Sequence, residues 1–159
     1  MKPYTPTWVV LMDGARSRIL VQEAPGARLT RPYGDGFTSG RELSHELGSD
    51  RPGRSRAATG AVARHAFEPR SDPHDQAEHE FCGQIAALVD RGIGERLAQR
   101  VILVAPAHAM GDLRKALSPR AYARVQTEIA HDWLDLPDDE VAARLGDHLL
   151  SPMATSMAV

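Results

Sequence analysis

Thr7-Trp8-Val9-Val10-Leu11-Met12-Asp13-Gly14 decides the architecture. The run from Thr7 to Met12 is apolar almost throughout, too short for a helix and rich in β-formers, so it predicts a strand buried at the centre of a sheet. Asp13-Gly14 best supports the positive φ angles of a two-residue hairpin turn, so the next strand returns antiparallel. Arg16 to Glu23 alternates, with Ile19 and Val21 on one face and Leu20 on the other, which predicts a half-exposed strand. Pro25-Gly26 marks a second turn, and Arg28 to Tyr33 reads as a weaker third strand. The N-terminal part is therefore a three-stranded meander.

Beyond it, Gly34 to Gly48 is polar and glycine-rich, with a short helical turn expected at Arg41 to Leu47. The next strong signal is a helix. Asp72 can cap its free amides, Pro73 suits its first position and Asp75 complements the positive end of its dipole. Phe81, Ile85, Leu88 and Val89 form one apolar stripe, and Gly92 and Gly94 read as its stop. Val101 to Ala105 is a second short apolar run after a helix, the mark of a buried parallel strand. A short helix follows with Met110, Leu113 and Leu117 inward, closed by Ser118-Pro119. Tyr122 to Ile129 fits helix or strand, and the alternation of Val125, Thr127 and Ile129 favours strand. Pro137-Asp138-Asp139-Glu140 opens a last helix whose buried stripe is Val141, Leu145 and Leu149.

The resulting order, β-β-β-α-β-α-β-α, predicts one α/β domain over residues 1–150, with the first strand near the middle of a mixed sheet. It is the order of ribonuclease-H-like domains. Residues 151–159 read as a flexible tail.

Composition narrows the function classes. The 159 residues, 42% apolar and 25% charged, are ordinary globular values for one domain with a full core. A single cysteine, Cys82, excludes an internal disulfide and suits a reducing compartment. No export signal precedes Trp8 and no run is long enough to span a membrane, so a cytoplasmic protein with no membrane partner is expected. The net charge of −2 gives no global basic field for nucleic acid. Its distribution is uneven, however. Many acids fall in the C-terminal third, such as Asp132, Asp135, Asp138, Asp139 and Glu140, while arginines gather in the middle.

That middle is Ser49 to His74, a stretch with no periodicity at 2 or 3.6 residues, and loops of such length are functional or disordered. Between Arg51 and His65 stand Arg51, Arg54, Arg56 and Arg64 and no acid. Arginine forks bind phosphate oxygens bidentately. Gly53 and Ser55 can offer unobstructed backbone amides, and the stretch feeds a helix N-terminus. Arg51, Gly53, Arg54, Ser55, Arg56, Arg64 and His65 are thus the candidate phosphate-binding residues, with Asp13, Asp50 and His74 behind them. The competing reading is a solvated loop whose arginines pair with Asp50, Glu68 and neighbouring carboxylates. No Gly-Lys-Ser/Thr follows, so this is not a nucleotide-binding P-loop. Only Phe67 is available there to stack on a base.

Catalytic sets are incomplete. Two-metal hydrolysis needs carboxylates converging on ions about 3.5–4 Å apart. Asp13 stands where such an acid is wanted, but Val104-Ala105-Pro106-Ala107 supplies no partner, and a hairpin turn already explains Asp13. His74 and His79 diverge by about 140° on a helix, and no donor set completes a metal site around His65 and His74. Cys82, beside Phe81 on the apolar side, reads as a small core residue. No catalytic residue, metal or cofactor is expected, and a non-enzymatic domain is the primary reading. A hydrolase using Asp13, His65 and His74, or a module binding an acidic protein, are the alternatives.

Taken together, Asp13-Gly14-Ala15-Arg16, Ser49-Asp50-Arg51-Pro52-Gly53-Arg54, Arg64-His65, Asp72-Pro73-His74 and Leu103-Val104-Ala105-Pro106 with Gly111, Leu113 and Arg114 resemble the bacterial host-attachment protein family. The resemblance runs from about Trp8 to Leu149. That family is grouped with bacterial relatives of the middle domain of archaeal and eukaryotic class-one peptide release factors. The resemblance implies a ribonuclease-H-like sheet. It also implies a loop before the long helix that, in release factors, carries a Gly-Gly-Gln tip into the peptidyl-transferase centre. This chain has Pro52-Gly53-Arg54-Ser55 there, and its Gly83-Gln84 lies inside the helix, so hydrolysis of peptidyl-tRNA is not expected. A ribosome or structured RNA is the expected partner, in translation or ribosome rescue.

Overall fold

The computed structural model describes residues 6–39 and 73–150. The expected turn at 41–47, the basic stretch as far as residue 72 and the tail at 151–159 lie outside the described residues. Among the described residues are six strands, four α-helices and one 3-10 turn. β1 (Thr7–Met12), β2 (Arg16–Gln22), β3 (Leu29–Thr30) and β4 (Phe37–Thr38) come first. Then follow α1 (Pro73–Gly94), β5 (Arg100–Val104), α2 (Ala107–Ala116), α3 (Pro119–Tyr122), β6 (Val125–Ile129) and α4 (Asp138–Leu145). They build one mixed sheet in the order β3-β2-β1-β5-β6, with β4 also pairing β2. β1 is antiparallel to β2 and parallel to β5, and β5 is parallel to β6.

The expected central strand is indeed central, and every residue of β1 is buried. Its alternation feeds two cores. Trp8, Val10 and Met12 meet Phe81, Ile85 and Val89 of α1 and Met110 and Leu113 of α2. Val9 and Leu11 meet Leu134, Val141 and Leu145 on the opposite face. Each such side chain contributes about 1.5–3 kcal/mol by leaving water. With helices on both faces β2 is not half-exposed: Ile19, Leu20 and Val21 are all buried, divided between the two cores. Its buried polar residues are satisfied. Ser17 Oγ donates to Leu11 O at 3.0 Å. The Gln22 amide donates to Leu150 O at 2.9 Å and accepts from Leu150 N at 3.1 Å, imitating a strand partner.

The meander departs from expectation on its outer edge. Instead of one strand from Arg28 to Tyr33 there are two two-residue strands, Leu29–Thr30 and Phe37–Thr38, on separate parts of β2. Gly34 and Gly36 adopt positive φ between them, which breaks any continuous strand. Gly36 is also forced by space, since a Cβ there would stand 2.2 Å from Ser17 O. In α1 the stripe is as expected, but Gly92 does not stop the helix; it lies within it, against Trp8. Ser118-Pro119 ends α2 and also opens α3, where Ser118 Oγ accepts from Ala121 N at 3.1 Å. Asp90 of α1 accepts from both the amide and the hydroxyl of Ser118, locking this turn to the long helix.

Charge holds α4 in place. Asp138 at its first position accepts from Arg31 Nε at 2.6 Å, and Arg18 donates to Leu136 O at 2.7 Å just before it. Asp135 faces Arg16 and Asp139 faces Arg28, both at 3.5 Å. The acids of the C-terminal third thus answer the arginines of the meander.

Candidate functional site

The described residues on either side of the segment that carries the arginine run come to one end of the sheet. β1 stops at Met12, and Asp13 N donates to Arg16 O at 3.1 Å, leaving Gly14 and Ala15 as the turn. Gly14 alone takes positive φ, +103°, so it fills the first central position and Asp13 stands just before it. The Asp13 carboxylate accepts from the amides of Ala15 and Arg16, both at 2.9 Å, and from the Arg16 guanidinium at 3.3 Å. Burial alone would raise this carboxyl; the amides and the guanidinium outweigh it and hold it below the usual carboxylate range. On the other side of the turn, Ser39 N donates to Ala15 O at 2.7 Å, which pins the chain as it leaves β4.

The chain returns as α1, which runs antiparallel to β1. Its Glu78 lies over the turn: a Cβ on Gly14 would stand 3.2 Å from the Glu78 carboxyl carbon. α2 starts beside it after Pro106. Glu78 faces His108 Nε2 at 3.8 Å, and His79 Nδ1 meets Asp112 Oδ2 at 2.9 Å. Each helix therefore supplies one histidine and one carboxylate, reciprocally paired. Beneath them the Cys82 thiol, 1% exposed, points at Ala109 O. Burial, with Asp112 and Glu78 adding to it, pushes the thiol up to about 12. A thiol so protonated is not a nucleophile near neutral pH.

Of the sequence-derived site residues, Asp13 and His74 are described. Asp13 anchors the turn, and His74 is exposed in the first turn of α1, four residues before Glu78 and on the same side of the helix. Arg51, Gly53, Arg54, Ser55, Arg56, Arg64, His65 and Asp50 lie outside the described residues. Sequence reasoning missed Glu78 and Asp112. Their spacing to His79 and His108 was visible, but the pairing is made between two helices and has no local signature. The Asp13 contacts anchor the hairpin turn. Asp13 accepts three hydrogen bonds, two on Oδ1 and one on Oδ2, and among the described residues no three His, Cys, Asp or Glu side chains are grouped to hold a metal ion.

The model of a family described as "Protein required for attachment to host cells" matches residues 8–145. No curated protein matches the sequence.

Proposed function

The chain belongs to the family of proteins required for attachment to host cells, and on that premise we propose that it is a cytoplasmic domain that binds RNA, in a ribosomal setting, through the arginine run at 51–64. The family description names an outcome for the cell, and an effect on translation or ribosome rescue reaches that outcome without the protein touching the host. Among the described residues no helix is long and apolar enough to cross a membrane.

The observation that carries this reading is a separation of charge. The run from Arg51 to His65 contains no acid. Four acids of the C-terminal third already face arginines of the described residues: Asp135 with Arg16, Asp138 with Arg18 and Arg31, Asp139 with Arg28 and Glu140 with Arg144. Ser39 N bonds Ala15 O, and Glu78 of α1 lies over the same turn, so the described residues on either side of the segment come to one end of the sheet. The order β3-β2-β1-β5-β6, with a meander followed by parallel strands, supports the ribonuclease-H-like architecture of release-factor middle domains. Lacking Gly-Gly-Gln, the chain binds without hydrolysing peptidyl-tRNA.

Each phosphate neutralised steepens the salt dependence of binding by about 0.7–0.9 log units per log unit of salt. Purified protein is expected to cofractionate with ribosomes at low salt, and the variant R51A/R54A/R56A/R64A is expected to lose most of that slope. Unchanged binding by this variant, or no cofractionation of the wild type, removes the reading. Metal-dependent RNA turnover that Asp13→Ala abolishes would replace it with a hydrolase.

A further inference from the structure

The start of β1 and the end of β2 border a cavity at the end of the sheet opposite the Asp13 turn. The length of β1, six residues and about 20 Å of strand, separates the two places. The cavity measures about 240 Å³ and is bounded by Pro6, Trp8, Pro32, Tyr33 and Leu97, with Glu23 and Arg96 also in its lining. Its aromatic wall is fixed. Trp8 Nε1 donates to Leu97 O at 3.0 Å, Tyr33 meets Trp8 edge-on with ring centroids 5.7 Å apart, and Phe37 backs Tyr33 at 5.6 Å.

Charge sets this cavity apart from its neighbour. A smaller one of about 110 Å³ shares Tyr33 and Leu97, and there Arg91 Nε meets Glu95 Oε2 at 3.0 Å. In the larger cavity Glu23 and Arg96 bring opposite charges to one space without meeting. No ion pair within 4.0 Å joins them, and among the described residues neither side chain has a hydrogen-bond partner. Arg96 is also held at a cost. Leu97 N donates to Gly92 O at 2.7 Å and Arg96 N to Ile93 O at 3.1 Å, the two bonds of a Schellman turn after α1. Arg96 takes the left-handed position of that turn, φ +64°, alone among the described non-glycine residues. Glycine is the usual residue there, because a Cβ is strained. The fold gains no ion pair from this arginine, and strain of this kind gathers at ligand clamps.

We propose that the cavity is a binding site for a free α-amino acid with an aromatic side chain. Its ring packs among Tyr33, Leu97 and the two prolines, its carboxylate takes the Arg96 fork and its ammonium takes Glu23. Three features select this occupant. The volume lies between the roughly 150 Å³ that holds benzene and the roughly 300 Å³ at which drug-sized pockets begin, so one ring with a short polar arm fits. Aromatic walls offer the edge and face contacts that a further ring takes. Opposite charges that do not meet are complementary to a zwitterion, whereas a simple anion is repelled by Glu23 and a simple cation by Arg96. The site uses none of Arg51 to Arg64, so it goes beyond the RNA reading and does not depend on it.

The test titrates the isotope-labelled full chain with L-phenylalanine, with phenethylamine, which lacks the carboxylate, and with hydrocinnamate, which lacks the ammonium. The Trp8 indole N–H signal reports occupancy, and Trp133, which packs on the other face of the sheet, is the internal control. L-Phenylalanine is expected to half-saturate the Trp8 shift near about 1 mM. Each truncated analogue is expected to bind about tenfold more weakly. Arg96→Gln is expected to erase the preference over phenethylamine, and Glu23→Gln the preference over hydrocinnamate, each leaving the other preference in place. Arg96→Gly separates binding from stability: it relieves the turn, so it is expected to melt about 2–4 °C higher while losing the same preference as Arg96→Gln. No saturable Trp8 shift up to about 20 mM overturns the proposal. So do equal affinities for the three compounds in the wild type, and unaltered preferences in the two glutamine variants. Tighter binding of either analogue than of L-phenylalanine overturns it in favour of a cationic or an anionic ligand.

Discussion

Replacing Gly92 by alanine places a methyl group inside the Trp8 indole. An ideal Cβ at position 92 stands 2.4 Å from Trp8 Cη2, 2.8 Å from Cζ2 and 2.9 Å from Cζ3. Trp8 is tethered where it stands, although it borders a cavity of about 240 Å³ lined also by Val21, Tyr33 and Leu97. It is 2% exposed, its Nε1 donates to Leu97 O at 3.0 Å, and Tyr33 packs edge-on with ring centroids 5.7 Å apart. Either α1 moves off the sheet or the indole turns and loses its acceptor. Overpacking of this kind costs about 1–3 kcal/mol, and the lost hydrogen bond about 0.5–1.5 kcal/mol. Alanine returns about 1 kcal/mol through helix propensity. The net expectation is a destabilisation of about 1–3 kcal/mol, which at this chain length lowers the midpoint by about 2–4 °C per kcal/mol. Urea unfolding followed by tryptophan fluorescence measures it. Gly83→Ala is the control within α1, since a Cβ at position 83 meets nothing within 4 Å. That variant is expected to match or exceed the wild type. If Gly92→Ala is as stable as Gly83→Ala, the close packing of helix on Trp8 is refuted.

Other outcomes follow from the same reasoning. Gln22→Leu strands the amide of Leu150 and the carbonyl of Ala27 and leaves Leu150 O with only its bond from Gly26 N, so a loss of about 1–3 kcal/mol is expected in urea titration. The Glu128 carboxyl is held below its usual range, first by the Arg114 hydrogen bond and also by Tyr122. A depressed folded value means that its stabilisation is complete above the ordinary carboxylate value near ~4.3 and is lost as pH falls through the folded value. Thermal melts from pH 7 downward are expected to show a shallower acid limb in Glu128→Gln, and an identical limb would contradict the pairing. Cys82, with its thiol pushed up to about 12 and 1% exposed, is expected to resist iodoacetamide at pH 8 in the folded protein and to react in urea. Rapid labelling of the native chain would show that the α1–α2 contact opens.

Much of the scaffold was legible along the chain. Runs such as Thr7 to Met12 and Val101 to Val104 are apolar because both faces of those strands are covered, and that burial is written residue by residue. The α1 stripe and the Pro73 start were equally local. The outer edge was not. Two-residue strands at Leu29–Thr30 and Phe37–Thr38 are too short to carry a period, and they exist because β2 offers free backbone groups to whatever passes. The half-exposed reading of β2 failed for a related reason: Arg18 and Gln22 look like solvent-facing residues until Leu136, Asp138 and Leu150 arrive from more than a hundred residues away.

The candidate site divides in the same way. The acid-free run from Arg51 to His65 is a property of the one-dimensional string, as is the Asp-Gly pair that starts the turn at position 13. Which of the remaining charges are spent and which are free is not. Arg28 and Arg124 are indistinguishable by local context, yet one meets Asp139 because α4 folds over the meander, and the other, just before β6, has no ion pair among the described residues. Short-range pattern determined which residues are buried and where elements begin. Only the tertiary structure decided which charges cancel, since Coulombic pairing depends on distance in space and a chain's order does not contain that distance.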